Sequence, residues 1–388
     1  MRTSREVAGV ALYDRSMEEA FGRFCRVIWP GSRGRASDPA AESDGSARGR
    51  GGPRENPPTF VFVKGGDIVG HVTTIPVQLS AFDRTVAAHW IVGFMVLPEH
   101  RNGLVGPLLI KEVNRSLDCA LSLHVERPVL RILTGLKWVH AGVLPQYLRV
   151  LDARGVARNL QLSGLKSVAL RSGETAAVQP PGFGESSARM LGGWVLAAAQ
   201  AVWTGVTRLA RPRALPAEVR DEREFDDAYD ALWEAVRGRI GACLVRDRTY
   251  LQARYGAFPD RYRVLACRRQ NRLLGYSIVK TRQFSGDLRM GDMKVGTIVD
   301  CLFDPDAPAV PQALLDAALK MCAREGMHAV LCTASHAALR RLLRANGFLA
   351  IPGNLNVAYH NRTNLPLQNV PLEAWHLMRG DSDADQNF

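Results

Sequence analysis

The apolar periods of this chain come in one order, and that order is met twice. Thr59–Val63 and Ile68–Leu79 read as strands on either side of a Gly65-Gly66-Asp67 turn, and Val86–Leu97 reads as a third. That is the pattern of an antiparallel meander. The period then changes: Val105, Leu108, Leu109, Val113 and Leu117 fall on one face of a helix over Val105–Leu117, as a 3.6-residue repeat requires. A strand over Ala120–Val125, a helix over Pro128–His140 and a strand over Leu144–Leu151 complete the series. In the second half, Arg261–Arg268, Leu273–Thr281 and Val295–Phe303 are again strands. Helix Val310–Glu325, strand His328–Thr333, helix Ala337–Ala345 and strand Phe348–Tyr359 follow. A β-β-β-α-β-α-β order met twice predicts a duplicated α/β architecture with mixed sheets.

At 388 residues there is length for two such domains, each with its own core. The expected boundaries are 1–165 and 215–365, with a connection over 166–214 and a tail over 366–388. Gly31–Pro58, rich in Gly, Ser, Arg, Asp and Pro, reads as a disordered excursion within the first domain, since it offers little to bury.

The third strand leads through Leu97-Pro98-Glu99-His100 into Arg101-Asn102-Gly103-Leu104-Val105-Gly106, which opens the helix. Such a junction aims several backbone N–H groups at one spot, at the positive end of a helix dipole with an arginine beside it. That suits a pyrophosphate. Pro107 lies in the first turn, where its missing N–H costs nothing.

This junction resembles the acyl-CoA loop of the GCN5-related N-acetyltransferases, Arg/Gln-x-x-Gly-x-Gly/Ala. Arg101 and Gly106 match its first and last positions, and Leu104 stands where the middle glycine is expected. Leu339–Phe348, Leu-Arg-Arg-Leu-Leu-Arg-Ala-Asn-Gly-Phe, is similar to the helix-to-strand Gly-Phe signature that ends the same fold, and Leu133–Trp138 is a weaker counterpart. The resemblance covers most of residues 59–155 and 215–362 and implies two tandem acyl-CoA N-acyltransferase folds.

It also implies a site. Acetyl-CoA would be the acyl donor, its diphosphate cradled by the Leu104 and Val105 N–H groups with the Arg101 guanidinium nearby. Asn102, Gly103 and Gly106 complete the loop. Main-chain groups of Phe94, Met95 and Val96 would pair with the pantetheine, which in this family lies where the third strand and the next parallel one splay apart. An acceptor ammonium must lose a proton before it attacks. Glu126, following Ser-Leu-His-Val at the mouth of the splay, is the first candidate base, a partly buried carboxylate being suited to that work. His89 and His124 stand behind it. The family often places a tyrosine on the helix after the fifth strand as the acid for the departing thiolate. Here that position is Leu133, which leaves Tyr147 as the candidate acid.

The second copy departs at the loop. Phe303-Asp304-Pro305-Asp306-Ala307-Pro308-Ala309-Val310-Pro311 has no arginine and no glycine. Asp304 and Asp306 would oppose a pyrophosphate, and three prolines remove N–H donors. This copy is not expected to hold CoA in the usual way, and is either a structural lid or a wall of the acceptor site.

The net charge of +12 favours anionic partners, and it is mostly arginine spread along the chain, so no dedicated nucleic-acid binder is required. Seven scattered cysteines without a C-x-x-C spacing speak against a disulfide framework or zinc site, and no metal is expected. Gly-x-Ser-x-Gly, Walker and His-Glu-x-x-His motifs are missing, which removes those hydrolase and nucleotidase classes. Trp375–Asp385 is similar to the C-terminus of tandem acetyltransferase-like proteins from bacterial exopolysaccharide loci, and this leans the acceptor toward a glycan or small-molecule amine. An aminoacyltransferase of the peptidoglycan-bridge type, using aminoacyl-tRNA, and a binding-only relative without catalysis are the alternatives. The N-terminus has no sustained apolar core, so a cytoplasmic location is expected. Met190–Val206 is nearly all apolar and flanked by arginines. At about 17 residues it is marginal for a span of about 20. It reads as an interface helix between the domains or as a helix lying on an anionic membrane surface.

Overall fold

A computed structural model describes residues 8–29, 58–159, 198, 200–207, 211, 218–287, 290–304, 307, 309–351, 353 and 355–385. The 31–57 excursion, most of the 166–214 connection, and Pro305, Asp306 and Pro308 lie outside them. In chain order the first elements are β1 (Gly9–Leu12), α1 (Glu18–Ile28), β2 (Thr59–Lys64), β3 (Asp67–Ala81), β4 (Arg84–Val96) and α2 (Val105–Ser116). Then come β5 (Cys119–Leu123), α3 (Arg127–Gly135), β6 (Val139–Val143), β7 (Gln146–Val150) and α4 (Ala153–Asn159). The later ones begin with β8 (Glu218–Glu222), α5 (Asp227–Val236), β9 (Ala242–Leu244), β10 (Arg263–Arg269), β11 (Arg272–Gln283) and β12 (Lys294–Phe303). They end with α6 (Ala309–Arg324), β13 (Ala329–Thr333), α7 (Ala337–Ala345), β14 (Leu349–Ile351), β15 (Asn356–Asn361) and β16 (Trp375–His376).

Two mixed sheets result, ordered β1-β2-β3-β4-β5-β15-β6 and β14-β7-β13-β12-β11-β10-β8, with β9 and β16 extending the first from β3. Each sheet carries the expected meander and parallel crossover. The α/β class with mixed sheets is as the periodicity predicts.

The ends of the two copies differ from expectation, in the same way. The helix expected to reach His140 stops at Gly135. Leu136 N–H bonds back to Ile132 and Leu133, Lys137 has φ +67, and Trp138 N–H closes on Leu133 O at 3.0 Å, the backward bonding that ends helices. Trp138 is then buried, its Nε1 donating to Asn114 Oδ1 at 2.8 Å. The strand expected over Leu144–Leu151 is present as β7, after an additional β6, and the one expected over Phe348–Tyr359 is divided into β14 and β15. β7 leaves β6 and lies in the second sheet between β13 and β14, while β15 leaves β14 and lies in the first sheet between β5 and β6. Pro145 and Pro352 fall at these departures, and a proline cannot donate to a ladder.

The compact units are therefore interleaved in sequence, unlike the contiguous boundaries expected. One comprises Met1–Leu144, Glu224–Ala257 and Gly353–Asn387, and the other Pro145–Arg223 and Phe258–Pro352.

In the first unit both faces of the sheet are covered. Val72, Ile91, Ala120 and Ala358 pack beneath Val105, Leu109 and Val113 of α2 and Leu133 of α3. On the opposite face Ile75, Trp90, Leu121 and Val357 meet Leu365 and, from the tail, Trp375 and Leu377. Each such large apolar side chain contributes about 1.5–3 kcal/mol on burial. Arg246 and Asp381, 2.7 Å apart, and Arg254 and Asp385 are fully buried ion pairs that fix the tail. Arg254 also donates to the carbonyls of Gly380 and Ser382. Beside β2 and β3, α1 closes an aromatic box of Phe21, Phe24 and Trp29 around His71, whose two ring nitrogens have no hydrogen-bond partner.

In the second unit Val150 of β7 joins Phe284, Met293, Val295, Ala329 and Leu331 in the core. Arg149 donates to Asn346 O at 2.7 Å, and Asn346 exchanges two amide hydrogen bonds with Gln312 of α6. Leu314, Leu315, Ala318 and Cys322 point inward as expected. Residues 200–207 are helical, with Gln200 donating to Gly347 O at 2.9 Å while Val202, Trp203 and Val206 are exposed. Among the described residues no helix is long and apolar enough to cross a membrane.

Two outcomes are expected. Asp381→Asn leaves the buried Arg246 without its counter-charge and should cost about 3–5 kcal/mol. Asp221→Asn, which loosens a half-exposed pair with Arg263, should cost about 1 kcal/mol at most. Urea unfolding followed by tryptophan fluorescence measures both, and equal small losses would show that the ion pairs do not hold the tail. Burial pushes the His71 imidazole from 6.5 down to about 3, so below pH 6.5 the unfolded chain takes up a proton there and the folded chain does not. Its contribution is intact above pH 6.5 and falls by ~1.4 kcal/mol per pH unit below it, until the pH nears 3. His71→Phe should remove that slope, gaining on the wild type steadily as pH is lowered from 6.5. Parallel stability curves would contradict a neutral, unpartnered imidazole.

Candidate functional site

β4 and β5 are parallel neighbours, yet they pair only at His89↔Ala120 and Trp90↔Leu121. Beyond those two rungs β4 continues to Val96, held by β3, and β5 continues to Leu123, held by β15. The two strands diverge because each keeps its other partner. A bulge assists: Thr73 pairs with Val92 and His71 with Met95, so Gly93 and Phe94 together face Val72. Gly93 has φ +57, a conformation that glycine adopts without strain. The expected opening between Phe94–Val96 and β5 is thus present, with Phe94 and Met95 half-buried and Val96 buried.

At its wide end α2 begins. Leu97–Leu104 is a tight loop in which the N–H groups of His100, Arg101 and Gly103 are spent on Leu97, Pro98 and His100 carbonyls. Leu104, the N-cap, offers no side-chain cap, an omission that leaves helix N–H groups open. Among the described residues nothing accepts from the N–H groups of Leu104, Val105 and Gly106. Arg101 donates Nε to Val96 O at 3.0 Å, which holds its guanidinium at the end of β4. Arg101, Asn102, Gly103 and Leu104 are exposed, Leu104 at 72%. A Cβ on Gly106 would stand 3.3 Å from the Phe94 ring, which would have to give by a few tenths of an ångström, and in ordinary contact at 3.5 Å with Ile132.

The candidate acid and base residues are distributed differently from expectation. Glu126 is the N-cap of α3 at the mouth of the opening, but it is exposed and its side chain caps nothing, so the expected partial burial is not found. His124, exposed with φ +71, is held by its N–H to Asn356 O, and Asn356 Nδ2 donates to Val125 O at 2.8 Å. His89 is half-buried at the closed end of the opening, and burial holds its imidazole below 6.5. Tyr147 does not belong to this site. It lies on β7 in the second sheet, fully buried, its hydroxyl accepting from Arg340 Nε at 3.1 Å. The exchange of final strands carries it there. Leu133 fills the tyrosine position as a core residue.

The second unit has a different junction. β12 and β13 stay paired for four rungs, Val295–Ile298 with Ala329–Cys332. Ahead of α6 the N–H groups of Ala307 and Val310 are already given to Asp304 and Ala307 carbonyls, and Pro311 has none. Among the described residues, no cluster of three or more His, Cys, Asp or Glu could hold a metal ion.

Periodicity does not reveal two buried groups beside the opening. His71 lies behind the bulge, a Cβ on Gly93 falling 3.4 Å from its ring, and Ser122 of β5 has a buried hydroxyl with no partner. Both sit in apolar strand sequence, where only the register brings them to β4.

No protein-family model matches this sequence, and none of the curated proteins matches it. Solved structures do share the fold. A GCN5-related N-acetyltransferase from Anabaena variabilis superposes with a TM-score of 0.56 at 11% identity, covering 92% of this chain and 73% of its own. N-myristoyltransferase of Saccharomyces cerevisiae with bound myristoyl-CoA gives 0.52 at 12%, covering 92% and 85%. A probable N-acyltransferase from Enterococcus faecalis gives 0.54 at 9%, covering 92% and 72%. Two mixed sheets on this plan, with neighbours spanning nearly the whole chain, give the protein the fold of the acyl-CoA N-acyltransferases.

Proposed function

We propose that the first unit binds one acyl-CoA, with acetyl-CoA as donor, and transfers the acyl group to an amine, an amino sugar of surface-polysaccharide assembly being the acceptor class. The observation that carries this is the end of β4–β5 pairing at Trp90↔Leu121 on the strand that leads to an uncapped helix N-terminus. The diphosphate is placed at the Leu104, Val105 and Gly106 N–H groups with Arg101 beside it, where dipole and donors both favour an anion. The pantetheine follows the unpaired edge of Phe94, Met95 and Val96, and a main-chain N–H there meets the thioester oxygen. A donor aimed at a developing oxyanion contributes a few kcal/mol to the transition state. Glu126, at the mouth, takes the ammonium proton directly or through water, with His124 and His89 as the alternatives.

A binding-only role is the second reading, favoured by the apolar Leu133 at the tyrosine position and the exposure of Glu126. An aminoacyl-tRNA substrate would predict RNA affinity that falls steeply with salt and no CoA binding.

Calorimetry with acetyl-CoA should show one site per chain, lost in Arg101→Glu and kept in Asp304→Ala; two equivalent sites would sink the one-site assignment. Thiol release from acetyl-CoA with a panel of amino sugars separates enzyme from binder. In that assay Glu126→Gln should bind acetyl-CoA normally and lose about 10²–10⁴ in turnover, the usual worth of a general base. Unchanged turnover would remove Glu126 from the reaction.

A further inference from the structure

Ser122 is fully buried and its Oγ makes no hydrogen bond. Its place follows from the register. On one side it pairs with Ala358 of β15, and on the other it is the first β5 residue past the last rung with β4. Ala120 and Ala358 lie in the core beneath α2 and α3 together with Leu133, so alternation turns the Ser122 side chain to that same face. An unsatisfied buried hydroxyl is destabilising, and alanine would occupy the site without that cost. Among the described residues nothing hydrogen-bonds to the group.

We infer that Ser122 Oγ donates a hydrogen bond to the sulfur of the bound acyl-CoA and stabilises the thiolate as it departs. This rests on the acyl-CoA reading above. With the diphosphate at the wide end, the pantetheine runs down β4 toward the closed end, and sulfur is its last atom. The residues along the diverging stretch are Ile91–Val96 and Ser122–Leu123, and among these side chains only Ser122 can donate a hydrogen bond. It lies on the α3 face, where Leu133 has no polar atom to offer. In the transfer the amine nitrogen bonds to the carbonyl carbon, and the C–S bond breaks with its electron pair on sulfur. One proton leaves the nitrogen and one ends on the sulfur. Ser122 assists the bond-breaking step by holding the developing negative charge.

The thiol of bound CoA reports this directly, because its thiolate absorbs in the ultraviolet. Among titratable groups on the neighbouring strands, burial holds His89 and His360 below 6.5, pushes Cys119 up to about 12 and raises Tyr359, so none of them changes charge where a thiol does. Those on α2 and α3, Lys111, Glu112, Arg115, Arg127 and Arg131, are exposed or half-exposed. CoA bound to the wild type should ionise about one to two pH units lower than CoA bound to Ser122→Ala, the shift given by one hydrogen bond to a charged group. Ser122→Thr, which keeps the hydroxyl, should stay with the wild type, and calorimetry should find CoA bound by all three. If CoA binds all three and ionises alike, Ser122 is not at the sulfur and the acyl-CoA reading stands. If CoA does not bind the wild type, both fall.

Discussion

A parallel ladder that holds for two rungs and then stops is the constraint on which the first unit turns. Backbone N–H and C=O groups that leave one partner must find another or remain open. β4 and β5 each keep a complete antiparallel partner on the far side, β3 and β15, so the unsatisfied groups collect on the two facing edges. The bulge at Gly93 and Phe94 re-aims β4 at that point, and α2 starts with its own N–H groups uncapped. The unpaired stretches of β4 and β5 and the uncapped start of α2 thus border one opening. A molecule with a polar, extended arm and an anionic end complements all three.

The second unit shows the same plan with these features withdrawn. Its parallel strands pair over four rungs, and the Ala307 and Val310 N–H groups ahead of α6 are given to carbonyls of the same turn. What it retains is core, including a reciprocal Gln312–Asn346 amide pair that a buried site must satisfy fully to be stable. One plan serves two ends, an open strand edge in one sheet and a closed, well-packed one in the other.

Local pattern in the amino-acid sequence carries much of this arrangement. The meanders, the period change at Val105 and the Arg101–Gly106 junction are short-range features, and the strands and helices there agree with the periodicity to within a few residues. The contrast at Asp304–Pro311 is legible for the same reason, since charge and proline content act locally. The exchange of β7 and β15 is not, because no local period distinguishes a strand's own sheet from another. That one non-local choice moves Tyr147 out of the site. The exposure of Glu126 and the isolation of Ser122 and His71 are likewise properties of neighbours that sequence does not place beside them. The N-terminal β1 and α1 and the 224–257 segment, which complete the first unit, carry patterns too short to assign them to it.

The exchange also sets a clock. Asn356, whose side chain holds Val125 O, follows it in sequence by 231 residues. At roughly 5–20 residues per second, a ribosome needs on the order of 10–50 seconds to deliver β15 after β5 has emerged. During that interval the nascent first sheet presents β5 as an unpaired edge of buried apolar residues, the surface on which chains join edge to edge. The first sheet therefore gains the β15 pairing of β5 only after nearly all of the chain has been synthesised.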